Sequence, residues 1–148
     1  ILHGVSMGAA TVLMASGEEL PENVKVIIAD CGYTSEWDEF KCEANALHIP
    51  WFPVLNAASV MSRLRDGYDF KQASALEQVK QSRIPTLFIH GSDDELVPYS
   101  MLDKLYSAAA CEKECLTVNG AGHALSSSVD PELYWNTVES FIDKYLEK

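Results

Sequence analysis

Three residues of the chain have the types that nucleophilic catalysis requires: Ser6, Asp94 and His123. A serine hydroxyl needs a base to take its proton, and that base needs an acid to orient it. Each of the three residues follows a predicted strand, and the carboxyl ends of parallel strands meet along one rim of a sheet. The sequence therefore predicts that they converge there, with Ser6 as nucleophile, His123 as base and Asp94 as acid.

The serine lies in a turn flanked by glycines, because residues 4–8 read G-V-S-M-G between an apolar strand end and an apolar helix. The pattern G-x-S-x-G at a strand-to-helix junction is typical of a nucleophile elbow. Side chains at Gly4 or Gly8 are expected to collide with the neighbouring strand and helix. The N–H of Met7, at the helix N-terminus, would then point to where an oxyanion forms. The alternative is that Ser6 only caps the helix.

The acid and the base lie in two further segments, residues 90–98, which read H-G-S-D-D-E-L-V-P, and residues 120–124, which read G-A-G-H-A. Two alternatives to Asp94 remain open: its neighbour Asp93, and Asp30, which follows its own strand. A simple loop histidine is the alternative for His123. Structural or surface positions are expected for the other histidines, which are His3, His48 and His90.

Taken in order, the three segments resemble the signature segments of the α/β-hydrolase superfamily, which has the same order of Ser, Asp and His. In that family the middle segment runs H-G-x-x-D-x-x-V-P, which aligns the acid with Asp94. The resemblance covers nearly the whole chain and implies the last four strands of the family's sheet, with a cap inserted after the second. It is closest to bacterial esterase-like or aminopeptidase-like serine hydrolases of unassigned substrate.

Strands and helices alternate along the chain, which predicts an α/β fold with a parallel sheet and flanking helices. After the elbow strand, further strands are predicted at residues 24–30, 85–90 and 114–119. Helices are predicted at residues 9–15, at 98–109 and from Pro131 onward, with a loop over 120–129.

The long stretch between residues 31 and 84 must carry helices of its own, since structureless loops of that length are rare in compact domains. Helices are predicted at 35–47, 57–64 and 74–81. We interpret residues 33–82 as a helical cap inserted into a partial α/β-hydrolase domain that covers residues 1–148. The aromatic residues there predict a satellite core and part of a substrate pocket; the pocket candidates are Trp37, Phe40, Trp51 and Phe52.

Composition excludes several classes of partner. The formal charge of −11 argues against nucleic acid and anionic membranes, and no apolar run reaches the roughly 18 residues of a membrane span. The spacing of the four cysteines fits neither a CxxC pair nor a zinc ribbon, so reduced thiols in a cytoplasmic protein are expected. We expect no metal or organic cofactor, and a small-molecule acyl substrate as the partner.

The chain opens without Met, partway into a strand, which favours the C-terminal portion of a longer protein whose N-terminal half is absent. In the family that the chain resembles, a second oxyanion donor comes from a loop after an earlier strand. Without it, the isolated chain is expected to be weakly active or inactive. The elbow strand would also lack a neighbour, which predicts self-association through the exposed sheet edge or a rearranged segment at residues 1–4.

The expected function is hydrolysis of an ester, thioester or amide through an acyl-enzyme, with an esterase favoured over a peptidase. Uncharged acyl substrates are expected over anionic ones. Two alternatives stay open: a non-catalytic domain that uses the fold for binding or assembly, and a peptidase with strict substrate requirements.

Overall fold

β-branched and other apolar residues form the strands of a parallel sheet in the computed structural model, which describes residues 1–146. The four strands are β1 (Leu2–Val5), β2 (Ile27–Asp30), β3 (Thr86–Gly91) and β4 (Lys113–Val118). They lie in the order β1-β2-β3-β4, and each neighbouring pair is parallel. The predicted α/β class with a parallel sheet is confirmed.

Helices connect and flank these strands. Their bounds are α1 (Met7–Ala15), α2 (Glu36–Ala46), α3 (Trp51–Asp66), α4 (Ala75–Val79), α5 (Ser100–Ala108), α6 (Ser126–Val129) and α7 (Pro131–Leu146). Within residues 1–146, no helix is both long and apolar enough to cross a membrane.

The sheet has a core on each face because alternate side chains of a strand point in opposite directions. On one face, Ile27 and Phe88 pack with α1, α4 and α5. On the other face, Ile28 and Ile89 pack with α7. Right-handed crossovers between consecutive parallel strands place α1 and α5 on the same side of the sheet. The carboxyl ends of the strands thus open onto one rim.

Three predicted elements differ from the observed ones. The strand predicted at 24–30 is shorter, since β2 begins at Ile27. The second helix predicted in the long stretch begins at Trp51 instead of residue 57, but it is kinked at Phe52, whose φ of −97° and ψ of 131° are not helical. Pro53 follows the kink and is tolerated there because its missing N–H has no intrahelical partner in a first helical turn. The loop predicted at 120–129 contains the short helix α6, which no apolar periodicity signals.

The segment between β2 and β3 has a closed base. Three backbone hydrogen bonds join its two ends: Leu76 N–H to the Thr34 carbonyl (2.9 Å), Glu36 N–H to Ala73 (3.0 Å) and Trp37 N–H to Phe70 (3.2 Å). Helices α2 and α3, named the cap helices below, lie between these ends. The predicted cap range of 33–82 also contains α4, which packs in the main core beside α1.

The first strand is ordered. Leu2–Val5 pair with Ile27–Asp30 in parallel register, so the expected rearrangement of residues 1–4 is wrong. Hydrogen bonding to β2 and packing of Leu2 against the core explain why the segment keeps its strand conformation. Within residues 1–146, β1 pairs with β2 alone, so its other edge carries unpaired backbone groups. Self-association through that edge stays a proposal.

The two glycines of the elbow differ in how much space surrounds them. A Cβ on Gly4 would collide with the backbone carbonyl of Gly8, because β1 and the first turn of α1 touch there. A Cβ on Gly8 would meet nothing within 4 Å, so the expected collision at Gly8 is wrong. The close approach at the elbow therefore depends on Gly4.

We expect Gly4→Ala to lower the free energy of unfolding by about 1–3 kcal/mol, since the added methyl group forces backbone apart. Gly8→Ala is the matched control, and there the same free energy should stay unchanged or rise by up to about 1 kcal/mol, because alanine favours a helix. Urea unfolding of both variants measures the difference. An equal loss of unfolding free energy in Gly4→Ala and Gly8→Ala would contradict a close backbone contact at Gly4.

Candidate active site

The backbone at Ser6 is strained. Its φ of 54° and ψ of −117° place it at positive φ, which a residue with a Cβ seldom adopts. The Ser6 N–H donates to the Asp30 carbonyl (2.9 Å), which fixes the turn to the end of β2. The Ser6 side chain makes no capping hydrogen bond to α1. The alternative in which the Ser6 hydroxyl only caps the helix is therefore wrong.

The Ser6 hydroxyl instead contacts His123. Ser6 Oγ lies 2.8 Å from His123 Nε2, and His123 Nδ1 lies 2.9 Å from Asp94 Oδ2. An ionised carboxylate only accepts hydrogen bonds, so Nδ1 must carry the proton and Nε2 is left to accept the serine proton. The structure thus brings together the three residues that the strand ends predict.

The Asp94 carboxylate is held by several donors. The backbone N–H groups of Leu96 (3.0 Å) and Val97 (2.9 Å) donate to Oδ1. His90 Nε2 lies 3.4 Å from Oδ2 and also donates to the Val97 carbonyl, at 2.9 Å. Burial alone would raise the pKa of Asp94, but the hydrogen bonds from His90, His123 and Val97 outweigh it and leave the pKa lowered. The carboxylate is therefore ionised when it orients His123.

Backbone contacts tie the acid loop to the base loop. Asp93 N–H donates to the Ala121 carbonyl (3.0 Å), and Gly120 N–H donates to Ser92 Oγ (2.8 Å). A Cβ on Gly91 would collide with the Ala121 carbonyl, so the two loops touch directly. The Asp93 carboxylate accepts a hydrogen bond from Ser92 Oγ at 2.6 Å, whereas the carboxylate that lies 2.9 Å from His123 Nδ1 is that of Asp94. This arrangement favours Asp94 over Asp93 as the acid.

Asp30, the other alternative for the acid, has different partners. Its Oδ1 accepts a hydrogen bond from Ser126 Oγ at 3.1 Å, and Tyr134 also hydrogen-bonds to it. Tyr134 Oη in turn lies 3.0 Å from His3 Nε2. Burial is the largest influence on Asp30 and raises its pKa. These contacts join α6 and α7 to the ends of β1 and β2, and they do not include His123.

A buried thiol lies beside the three residues. Cys31 Sγ, a carboxylate oxygen of Asp94 and a ring nitrogen of His123 all lie within 4.8 Å of one another. Metal ligation needs a deprotonated thiol, whereas burial raises the pKa of Cys31 to about 12. Both ring nitrogens of His123 are also engaged, by Ser6 and Asp94. Among the described residues, this cluster is therefore better explained by the hydrogen bonds that join Ser6, His123 and Asp94 than by a metal centre.

Met7 is the first residue of α1, and its side chain is exposed. The first N–H groups of a helix have no intrahelical acceptor, and the helix dipole adds positive potential there. The Met7 N–H thus has the position expected of an oxyanion donor beside Ser6.

A cavity of about 170 Å³ opens beside Ser6. Of the four predicted pocket residues, Phe40 lines it, and the other three do not. Trp51 and Trp37 meet edge to face at 6.5 Å between the cap helices, and Phe52 is 65% exposed. Aromatic side chains pack on one another here because the two cap helices must bury their apolar sides. Trp51 and Phe40 also line a separate apolar cavity of about 360 Å³.

The cavity beside Ser6 has an acidic wall that the sequence interpretation missed. Its lining residues are Ser6, Met7, Tyr33, Glu36, Glu39, Phe40, Glu43 and Leu96. The three glutamates repeat at i, i+3 and i+7, which puts them on one face of α2. This spacing was the available signal, although such a face is usually solvated.

Burial is the main influence on Glu39, with the nearby Glu43 and Asp94 charges acting in the same direction, and together they raise its pKa to about 7. Burial also raises the pKa of Glu36, and a hydrogen bond from Tyr68 opposes that rise. The wall is thus a set of carboxylates that lack compensating positive charge.

Comparison with known proteins places the chain in a family. The model of the prolyl oligopeptidase family matches residues 1–148. YqkD from Bacillus subtilis is 31% identical over 143 residues, which are 96% of this chain and 47% of YqkD. The alpha/beta hydrolase domain-containing protein 17C from Homo sapiens is 30% identical over 122 residues, 80% of this chain and 35% of that protein. The chain spans about half the length of these curated relatives, or less.

The fold has counterparts among solved structures. An esterase from Pyrococcus furiosus superposes with a TM-score of 0.70 at 18% identity, over 97% of this chain and 53% of the esterase. At that identity the likeness concerns the fold alone.

Replacing Glu39 by Gln should stabilise the protein more at pH 8 than at pH 5. In the unfolded chain this carboxyl ionises near the ordinary glutamate pKa of 4.5, whereas in the folded protein it stays protonated until about 7, so folding loses stability as the pH rises between these values. Glutamine does not titrate, and the gain at pH 8 should be about 1–3 kcal/mol.

Urea unfolding at the two pH values measures this gain. The exposed Glu139→Gln serves as the control and should show no such pH dependence. A Glu39→Gln effect that is the same at both pH values would contradict a raised pKa.

Proposed function

Because the chain belongs to the prolyl oligopeptidase family, within the α/β-hydrolase superfamily, we propose that the protein is a serine hydrolase that cleaves an ester, thioester or amide. The observation that carries the proposal is the unbroken hydrogen-bonded path from Ser6 through His123 to Asp94, with both distances below 3 Å. A buried and ionised acid, an oriented imidazole and a serine hydroxyl within hydrogen-bond distance of that imidazole are the parts that this kind of acyl transfer uses.

In the proposed reaction, His123 Nε2 takes the proton of Ser6 as Oγ attacks the carbonyl carbon of the substrate. Asp94 stabilises the imidazolium that forms. Collapse of the tetrahedral intermediate breaks the bond to the leaving group, which receives the proton from His123. Water then attacks the acyl-enzyme with His123 as base again, which releases the acid and restores Ser6.

The negative charge of the intermediate develops next to the N-terminus of α1. The Met7 N–H supplies one donor to that oxygen, and the first turn of the helix adds its dipole. Loss of one such donor typically costs about 100- to 1000-fold in rate. Because the chain spans about half the length of the curated relatives that it matches, the activity is proposed for the full-length protein, which is the form to assay.

The cavity beside Ser6 supports a small acyl or leaving group, since it measures only about 170 Å³. This size favours an esterase acting on short substrates. A peptidase with strict requirements is the second candidate, because the matching family model is that of prolyl oligopeptidases.

Ser6→Ala should abolish turnover of p-nitrophenyl acetate and butyrate by the full-length protein, with a loss of at least about 1000-fold, because no nucleophile remains. Labelling by a fluorophosphonate should be lost in parallel. The exposed Ser128→Ala is the matched control and should keep both signals. If the unsubstituted protein is neither labelled nor active, the fold would serve binding or assembly instead of catalysis.

Asp94→Asn should lower kcat by about 100- to 10,000-fold with little change in the fold, since asparagine can bind the wrong tautomer of His123. Asp93→Asn should change kcat less than about threefold, because the Asp93 carboxylate is hydrogen-bonded to Ser92 and the carboxylate bonded to His123 is that of Asp94. Steady-state kinetics on one ester compares the two. A larger loss at Asp93 than at Asp94 would reverse the assignment of the acid.

A further inference from the structure

One carboxylate oxygen in the cavity beside Ser6 has no partner. Glu39 is 7% exposed, and its Oε2 is buried without a hydrogen-bond partner among the described residues. The side chain lines the same cavity as Ser6 and Met7. An unsatisfied buried carboxylate costs the protein stability, so its presence next to a reactive serine calls for a ligand.

The surroundings of Glu39 are uniformly negative. Glu36 and Glu43 line the same cavity, and Glu36 Oε2 is likewise buried without a partner among the described residues. The negative charge of Asp94 also acts on Glu39. Tyr33, from the loop after β2, is the remaining titratable wall residue. Among the described residues, no Lys or Arg lines this cavity.

Basic residues nearby in the cap are engaged elsewhere. Lys41 on α2 lies over the Trp51 ring, 4.8 Å from its centroid, and Lys71 lies 4.5 Å from the centroid of Trp37. Both aromatic partners lie outside the lining of the cavity beside Ser6. These ammonium groups therefore do not neutralise the acidic wall.

We propose that the substrate carries a positively charged group, an ammonium or a guanidinium, which binds the wall formed by Glu36, Glu39 and Glu43 while its carbonyl lies at Ser6. This inference rests on the proposed function and narrows its substrate class. A cation satisfies the orphaned oxygen and removes the mutual repulsion of the carboxylates. Because the contact lies next to Ser6, the cation also orients the carbonyl for attack.

The same contact gives the site a pH dependence. Glu39 has a pKa near 7, raised by burial and by Glu43 and Asp94, so its charge grows as the pH rises from 6 to 8. Binding of a cation should strengthen over that interval, since only the ionised carboxylate attracts it fully.

The test uses two p-nitrophenyl esters of the same shape. One is the ester of a butyric acid that ends in a trimethylammonium group, and the other carries an uncharged tert-butyl group in its place. For the full-length protein we expect kcat/KM to favour the cationic ester by about tenfold or more, since the charge faces unpaired carboxylates. The preference should rise between pH 6 and pH 8.

In Glu39→Gln the ratio of the two kcat/KM values should fall by about tenfold, and its rise with pH should disappear. The surface variant Glu139→Gln removes an equal charge and should leave the ratio unchanged. Because both esters share Ser6, His123 and the leaving group, the ratio isolates recognition of the cation from the chemistry.

An equal preference in the unsubstituted protein and in Glu39→Gln would overturn the proposal. So would a loss of folding stability at neutral pH in Glu39→Gln, which would mean that another part of the protein supplies a basic partner to Glu39.

A measurement of binding without hydrolysis distinguishes failure of the cation site from failure of the proposed hydrolase activity. In Ser6→Ala, choline should bind at least about tenfold more tightly than its tert-butyl analogue by calorimetry, and Glu39→Gln should remove the difference. If the unsubstituted protein neither hydrolyses the esters nor reacts with a fluorophosphonate, but this difference in binding is present, the hydrolase proposal fails and the cation site stands. If the esters are hydrolysed but the two compounds bind with equal affinity, the hydrolase proposal stands and the cation site fails.

Discussion

The site depends on the contact between β1 and the first turn of α1. Gly4 lets the two backbones touch, and this leaves Ser6 in a conformation that costs on the order of 1–3 kcal/mol. Buried packing of Ala9 and Leu13 against the sheet offsets that cost. Cys31 and Ala124 also have positive φ, and the backbones at Ser6 and Ala124 both contact the Cys31 thiol. The Cys31 thiol therefore links the turn that holds Ser6 to the loop that holds His123.

Convergence of the three candidate side chains could be predicted because it follows from topology. Parallel strands in consecutive order must present their carboxyl ends together, so Ser6, Asp94 and His123 needed only correct strand positions. The acidic wall could not be predicted in the same way. Glutamates at i, i+3 and i+7 usually form a solvated face, and only the packing of α2 over the strand ends turns this face toward Ser6.

The aromatic residues of the cap influence the site without touching it. Trp37 and Trp51 pack between α2 and α3, and Phe40 packs on Phe70 at 4.8 Å. These contacts fix the orientation of α2 about its own axis, so that its acidic face borders the cavity beside Ser6. The two cap helices thus meet each other through apolar contacts, while the carboxylates of α2 line the cavity beside Ser6.

The closed base of the segment between β2 and β3 also affects which changes of sequence the protein can tolerate. Its two ends are joined by backbone hydrogen bonds, which any side chains can form, and they continue into adjacent strands of the sheet. Residues 38–69 can therefore be lengthened, shortened or replaced while Ser6, His123 and Asp94 keep their places. Under the proposed function, a change in this segment would alter recognition while Ser6, Asp94 and His123 keep their geometry, so we expect relatives to differ most in this segment.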